Sequence, residues 1–266
     1  LAAHDFVLTV GTSVFPYYPN VPGPLLAEGT ALVAITSDPD EAARAPMGDA
    51  IVADPALTLA ALATAVGESE RTPPPPRPAP EPAPVADPVS PSTAVRALGD
   101  VFPRDGIVVL ESPSATLALR NQLRLSTPGS YYFSSGGGLG FGMPAAVGVQ
   151  LAQPSRPVVC VIGEGSAQYA IQSLWTAAAY EVPVTFLVLR NDEYAILKWF
   201  GMLEDIVGAP GLDLPALDCA AVASGYGVKS RVVGDAEELS EGLSKALASD
   251  KPELLEVEVA PGMALA

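Results

Sequence analysis

The chain has 266 residues, 49% of them hydrophobic, which is enough for two domains with sizeable cores. Its 30 acidic residues against 14 basic ones give a net charge of −16, which argues against nucleic acid or an anionic membrane as a partner, because both need basic surface. No uninterrupted apolar run reaches the roughly 18 residues that span a bilayer, the start Leu1-Ala2-Ala3-His4-Asp5 lacks the basic and apolar regions of a signal peptide, and two cysteines suggest no disulfide framework, so a reducing cytoplasm is the default.

Along the chain, residues 6–11 (Phe-Val-Leu-Thr-Val-Gly) and 31–36 (Ala-Leu-Val-Ala-Ile-Thr) are strand-like, and 57–66 is a short alanine-rich helix. Residues 68–91 are dense in proline, which blocks helix formation and sheet pairing. They read as an extended, semi-rigid linker, with a proline-rich docking site as the alternative. After it, 92–102 is helix-like and 107–110 is a strand, and a glycine-rich loop lies at 136–142. Residues 158–162 form a short β-branched run, as a buried parallel strand should, with Cys160 as a small core residue inside it. A helix near 218–225 and a closing strand at 254–259 follow. Alternating strands and helices without an internal repeat predict an α/β fold with doubly wound parallel sheets. The predicted division is 1–67, a linker at 68–91, and 92–266.

Residues 163–191 carry the most chemistry. Gly163-Glu164-Gly165-Ser166 follows one strand, and the two glycines let the chain turn tightly beside a ligand. The spacing predicts a helix over 167–180 with Ile171, Leu174, Trp175 and Ala178 on one stripe, its N-terminus presenting free N–H groups to phosphate. A second strand at 182–189 returns Asn191 to the same sheet edge. An oxygen ligand at each of two neighbouring strand ends can hold a hard cation such as Mg²⁺ together with a phosphate. An ordinary βαβ unit with a Gly-Glu-Gly turn and a surface asparagine has the same spacing. The run 136–142 contains no dinucleotide fingerprint, and by itself it is equally a flexible loop.

This layout resembles the thiamine diphosphate (ThDP) motif of the ThDP-dependent 2-oxo acid decarboxylases, which begins Gly-Asp-Gly and ends Asn-Asn. The strings Ser130-Tyr131-Tyr132-Phe133, Gly136-Gly137-Gly138-Leu139-Gly140-Phe141-Gly142, Ser173-Leu174-Trp175-Thr176-Ala177-Ala178 and Pro210-Gly211-Leu212-Asp213-Leu214-Pro215 are similar to the benzoylformate decarboxylase branch of that family. So is Glu193-Tyr194-Ala195-Ile196-Leu197-Lys198-Trp199-Phe200. Upstream, Ser37-Asp38-Pro39 and Arg44-Ala45-Pro46-Met47-Gly48-Asp49 resemble the end of the family's middle domain. The resemblance implies a ThDP-binding fold over 92–266 and part of a Rossmann-like middle domain over 1–67. It implies also that the family's pyrimidine-binding domain, with its activating glutamate and catalytic histidines, is not in this sequence.

The resemblance assigns site residues by position. Mg²⁺, or Ca²⁺ in its place, falls to Glu164, Asn191 and the backbone carbonyl of Glu193. Glu164 replaces the usual Asp with one more methylene of reach, and Arg190 replaces the first Asn and is expected to turn away into an ion pair. Ser114, Gly165, Ser166 and Tyr194 fall to the diphosphate. Gly137 offers a carbonyl to the aminopyrimidine, and Leu139 props the cofactor into its bent shape. Ile196, Leu197 and Phe200 form an apolar wall for an aromatic 2-oxo acid, although residues at such helical spacing are as often plain core. Tyr18 stands where the family has a histidine, and a phenol with a pKa near 10 is a poor base. His4 reads as a solvated surface residue. The implied activity is decarboxylation of benzoylformate to benzaldehyde and CO₂ by a homo-oligomer, a dimer of dimers. Acetolactate synthase-like or oxalyl-CoA decarboxylase-like chemistry is the alternative within the family, and a non-catalytic cofactor-binding module is the alternative outside it. Without the missing domain, the 266 residues alone are expected to turn nothing over.

Overall fold

The computed structural model describes residues 1, 4–15, 23–68, 70, 72–73, 75, 78, 81–134, 136–206 and 208–263. Two units emerge, Leu1–Arg77 and Pro78–Ala266.

In the first unit, β1 (Phe6–Val10), β2 (Ala31–Thr36) and β3 (Asp49–Val52) form a parallel sheet in the order β1-β2-β3. Helix α1 (Pro39–Arg44) links β2 to β3, and α2 (Pro55–Val66) follows β3. Each helix starts where an aspartate can accept from the first free N–H groups: Asp38 caps α1 and Asp54 caps α2, with proline at the first helical turn of both. The core is small, built on Val14, Leu32 and Ala34, and α2 buries none of its side chains.

The second unit carries the larger sheet. In chain order it contains α3 (Pro91–Val101), β4 (Ile107–Glu111), a 3₁₀ turn (Pro113–Ala115), α4 (Thr116–Gln122), β5 (Tyr131–Phe133), α5 (Gly142–Ala152) and β6 (Val158–Gly163). Then follow α6 (Glu164–Ala167), α7 (Ser173–Ala179), β7 (Val184–Arg190), α8 (Ala195–Leu203), α9 (Cys219–Gly225), β8 (Lys229–Val233), α10 (Ala236–Leu247) and β9 (Glu253–Glu258). The strands are parallel in the order β5-β4-β6-β7-β9-β8. The central strands are mainly apolar because helices cover both faces. One face packs Leu98, Leu119, Leu239 and Leu243 of α3, α4 and α10 against Val108, Leu110 and Leu187. The other packs Met143, Leu174 and Ala220 of α5, α7 and α9 against Cys160, Phe186 and Val188. This is the doubly wound α/β fold that the alternation predicts. Its helices are locally specified: Asp235 accepts from Glu238 N–H and Glu238 reaches back to Gly234 N–H, a reciprocal cap that starts α10.

The structure corrects three expectations. The helix over 167–180 is broken: α6 ends at Ala167, and residues 168–172 wind in three-residue turns, with Tyr169 N–H to Ser166 O at 3.2 Å and Ala170 N–H to Ala167 O at 3.1 Å. The buried residues Ala167 and Ala170 lie three apart, which suits this tighter winding. Trp175, expected on the buried stripe, is 56% exposed, and Ala177 is buried instead. The second strand starts at Val184 rather than at 182, just past Pro183, which has no N–H to give the ladder. Finally, residues 81–90 of the proline-rich stretch have no regular structure but are tied to the second unit. Ala83 and Val89 are buried there, Arg96 donates to Ala83 O, and Thr93 donates to Pro84 O. Both cysteines are free and buried, and among the described residues no helix is long and apolar enough to cross a membrane.

Candidate functional site

Parallel strands deliver their last residues to one edge. From β4 the chain crosses to β5 on one side, and β6 lies on the other side of β4, so the crevice beyond β4 and β6 is a topological switch point. Ser112 leaves β4 there and Gly163 closes β6. Ser112 is 1% exposed, and its hydroxyl has no hydrogen-bond partner among the described residues. A Cβ added at Gly163 would stand 3.9 Å from the Oγ of both Ser112 and Ser166, so the two hydroxyls flank the same point at the end of β6. An unsatisfied buried hydroxyl costs about 1–3 kcal/mol, and a polar ligand at this edge offsets that cost. Ser114 sits in the 3₁₀ turn just beyond. The helix expected to present its N-terminus to phosphate is the four-residue α6, so anion binding here rests on individual N–H groups and hydroxyls rather than on a long helix dipole.

Glu164 is the first residue of α6 and is buried. Its Oε1 accepts from Asn191 N–H at 3.2 Å and Glu193 N–H at 3.3 Å, across the gap between the ends of β6 and β7. Burial pushes its carboxyl above the usual range, and backbone N–H groups partly offset that. Asn191 Oδ1 also accepts from Glu193 N–H, at 3.3 Å, which closes a tight turn with Asp192 at φ 58°. The turn is braced by residues 212–214: Tyr194 N–H donates to Leu212 O at 2.8 Å and Leu214 N–H to Asp192 O at 2.7 Å. Those bonds flank an antiparallel bridge between Glu193 and Asp213. The N–H and C=O of Glu193 therefore face away from 213, towards Glu164. The Glu193 carboxylate turns elsewhere, to Lys198 and to Gly262 N–H at 2.7 Å. Glu164 Oε1 and Asn191 Oδ1 thus lie on the same N–H, that of Glu193, and a carboxylate and an amide oxygen are the kinds of donor a hard cation takes. Among the described residues no group of three or more His, Cys, Asp or Glu side chains is gathered to hold a metal ion, here or elsewhere.

Arg190 turns away from this point. It contacts Asp192 at 3.0 Å, Glu258 at 2.9 Å and the buried Glu256 at 2.8 Å, and Glu256 also accepts from Ala220 N–H at the start of α9.

The remaining predicted residues surround the same edge. Gly165 cannot carry a side chain, because a Cβ would meet Tyr194 Cε1 at 2.6 Å and Leu214 Cδ1 at 2.7 Å. The Tyr194 phenol is raised above its ordinary pKa by burial, by its hydrogen bond to Tyr169 and by nearby Glu164. Gly137, at φ 67°, donates to Ser134 O, and Gly140, at φ 95°, turns beside Tyr169. Leu139 lies between them, half-buried. On α8, Ile196 and Phe200 are half-buried and Leu197 is 45% exposed, so none of the three belongs to the core. Tyr18 lies outside the described residues, and His4 is exposed. Sequence reasoning passed over Glu111, Ser112 and Tyr169. The first two directly follow the run Ile107–Leu110, the same strand-end signal that marks Glu164.

A parallel sheet with hydroxyls at its switch point and carboxylate and amide oxygens at the next strand ends has the layout of an α/β ligand-binding module. The chain belongs to the thiamine pyrophosphate enzymes: residues 114–257 match the family described as "Thiamine pyrophosphate enzyme, C-terminal TPP binding domain", thiamine pyrophosphate being another name for ThDP. It is 48% identical, over 97% of its length, to benzoylformate decarboxylase of Pseudomonas aeruginosa, and covers 49% of that protein. It is 32% identical over 65% of its length to an acetolactate synthase large subunit of Parasynechococcus marenigrum, covering 28% of it. Among solved structures, a ThDP-dependent 4-hydroxybenzoylformate decarboxylase of Rhodococcus jostii superposes with a TM-score of 0.92 at 43% identity, over 97% of this chain and 49% of that one. The chain therefore spans about half the length of the Pseudomonas and Rhodococcus proteins.

The Arg190 cluster yields a stability prediction. Removing the cation leaves Glu256 charged and buried with a single backbone donor, a loss of about 3 kcal/mol. Arg190→Met should lower the urea midpoint accordingly, and adding Glu256→Gln should restore part of it. Simple addition of the two effects would show that the pair is not coupled.

Proposed function

We propose that the enzyme carrying this chain decarboxylates an aromatic 2-oxo acid, benzoylformate to benzaldehyde and CO₂, with ThDP and Mg²⁺. The observation that carries this reading is the 48% identity to benzoylformate decarboxylase over 97% of the chain, and the chemistry of the sheet edge agrees with it. Residues 1–67 are the second part of a middle domain and 92–266 the pyrophosphate-binding domain, and the end of the proline-rich stretch between them packs on the latter. When bound, ThDP supplies the electron sink for the pair left as the bond to the departing carboxylate breaks. The chain's own residues bind and orient. Glu164, Asn191 and the carbonyl of Glu193 hold Mg²⁺, with Ca²⁺ as a substitute. Ser114, Gly165, Ser166 and Tyr194 line the diphosphate, and the unpartnered Ser112 hydroxyl adds a donor beside them. Gly137 and Leu139 meet the aminopyrimidine side of the cofactor. Ile196, Leu197 and Phe200 offer an apolar wall to the substrate ring. The groups that activate the cofactor come from another domain of a neighbouring subunit. The enzyme is a cytoplasmic dimer of dimers, which also covers Leu197, Met202, Leu203 and Ile206, all exposed in the single chain.

The direct test is benzaldehyde release by the whole enzyme with ThDP and Mg²⁺, with pyruvate and oxalyl-CoA assayed in parallel. Turnover of benzoylformate with little of the other two is expected. A preference for pyruvate would favour the acetolactate synthase-like reading, to which the Parasynechococcus relative points.

For the cation, Asn191→Ala should weaken ThDP binding in excess Mg²⁺ tenfold or more, about 1.4 kcal/mol. Unchanged affinity by titration calorimetry would remove Asn191 from the ligand set. For the substrate, Leu197→Ala opens volume beside the ring and should raise kcat/KM for bulkier 2-oxo acids relative to benzoylformate. An unaltered ratio would place Leu197 away from the pocket.

A further inference from the structure

We infer that Glu111 is a positioning residue for the cofactor, acting through the glycine loop. The inference rests on reading the sheet edge as the ThDP site. Glu111 is the last residue of β4, paired in register with Ile162 of β6, and is buried. Its two carboxylate oxygens divide between two N–H groups of the loop: Oε1 accepts from Gly140 at 2.7 Å and Oε2 accepts from Gly142. Phe141 lies between these donors.

The geometry serves two elements together. Helix α5 begins at Gly142, and its own N-cap position, Phe141, offers no side-chain acceptor. Glu111 supplies that acceptor from a different strand, with a negative charge where the helix N-terminus favours one. The tip of the loop has little else to hold it. Among the described residues no atom beyond the adjacent residues stands within 4 Å of a Cβ added at Gly136, Gly137 or Gly138, and Gly137 N–H donates to Ser134 O. The position of residues 137–139 is therefore set from the loop's base, where Glu111 grips it. Bonds to an ionised acceptor are shorter and roughly twice as strong as neutral ones, which suits a clamp.

Gly142 and Glu111 specify one another. A Cβ at 142 would lie 2.8 Å from Glu111 Cβ, 3.0 Å from its Oε2 and 3.6 Å from Cys160 Sγ, so only glycine leaves room for the carboxylate. From the loop, contact runs on through Gly140 to Tyr169, whose phenol pairs with Tyr194, which packs against Gly165 next to Glu164. Glu111 thus anchors a loop that passes beside Tyr169, and Tyr194, which neighbours Tyr169, directly follows the 191–193 turn.

The test uses the whole enzyme and three variants. In Glu111→Gln the side chain keeps its shape but turns an NH₂ towards one of the two N–H donors. Glu111→Asp keeps the charge and shortens the reach, and Gly142→Ala pushes the carboxylate aside without altering it. ThDP affinity is measured by calorimetry in excess Mg²⁺, and the melting temperature without cofactor. The expected result is a rise of at least tenfold in the ThDP Kd for Glu111→Gln, a smaller rise for Glu111→Asp, and a combined Glu111→Gln/Gly142→Ala effect far below the product of the two. A fall in melting temperature with the Kd unchanged within twofold would make Glu111 a helix cap only and overturn the inference. If Glu111→Gln does not fold, the aspartate variant decides on the same criterion. Wild-type enzyme that fails to bind ThDP would overturn the cofactor site itself, and this inference with it.

Discussion

A carboxylate withdrawn from water must be met by hydrogen-bond donors or by a cation, and this requirement organises the working edge of the larger sheet. Three of the buried glutamates sit at or near the C-terminal ends of β4, β6 and β9. Glu111 is met by N–H groups of Gly140 and Gly142, Glu164 by those of Asn191 and Glu193, and Glu256 by Ala220 N–H and Arg190. Each carboxylate ties a loop that would otherwise be free to the rigid strand behind it. The glycine loop, the 191–193 turn and the start of α9 are all anchored in this way. A parallel sheet brings strand ends together, and the buried acids convert that proximity into fixed loop positions.

This division of labour explains what was legible in the sequence. The strands were, because β-branched apolar runs such as Val158-Val159-Cys160-Val161-Ile162 have no other stable place than a covered sheet. The proximity of Glu164 and Asn191 was legible too, since each stands two residues past the end of such a run. The break after Ala167 was not, because the local preference of an alanine-rich segment is helical and the three-residue winding is set by which alanines the sheet buries. Nor was the partnership of Glu111 with a loop about thirty residues on: it depends on β4 and β6 lying side by side, which is a tertiary fact. The short elements α1, β3, β5 and β8 carry too few residues for a period to show.

The two units differ in how far they satisfy themselves. The larger one closes two apolar layers around a six-stranded sheet. The smaller one leaves Phe6, Ile51, Val52, Leu57 and Val66 exposed on its sheet and on α2. Three strands and two short helices offer too little area to cover both faces. On the larger unit the exposed apolar residues are spread over several elements, and Leu197, Met202, Leu203 and Ile206 among them lie on α8 and just beyond it, close in sequence to the 191–193 turn. The surface that follows this turn is thus partly apolar.

The two thiols lie behind this edge. Cys160 is in the middle of β6, the strand that delivers Glu164, and Cys219 opens α9, which Glu256 anchors. Both are fully covered, and burial together with neighbouring acids pushes their pKa up, for Cys219 to about 12. Neither ionises nor meets a reagent in the closed fold. Alkylation at each then keeps time for a different opening event: at Cys160 the parting of the central sheet, at Cys219 the release of one helix from its edge. The chain thereby contains its own pair of clocks, one set in the scaffold and one beside the loops that the scaffold holds.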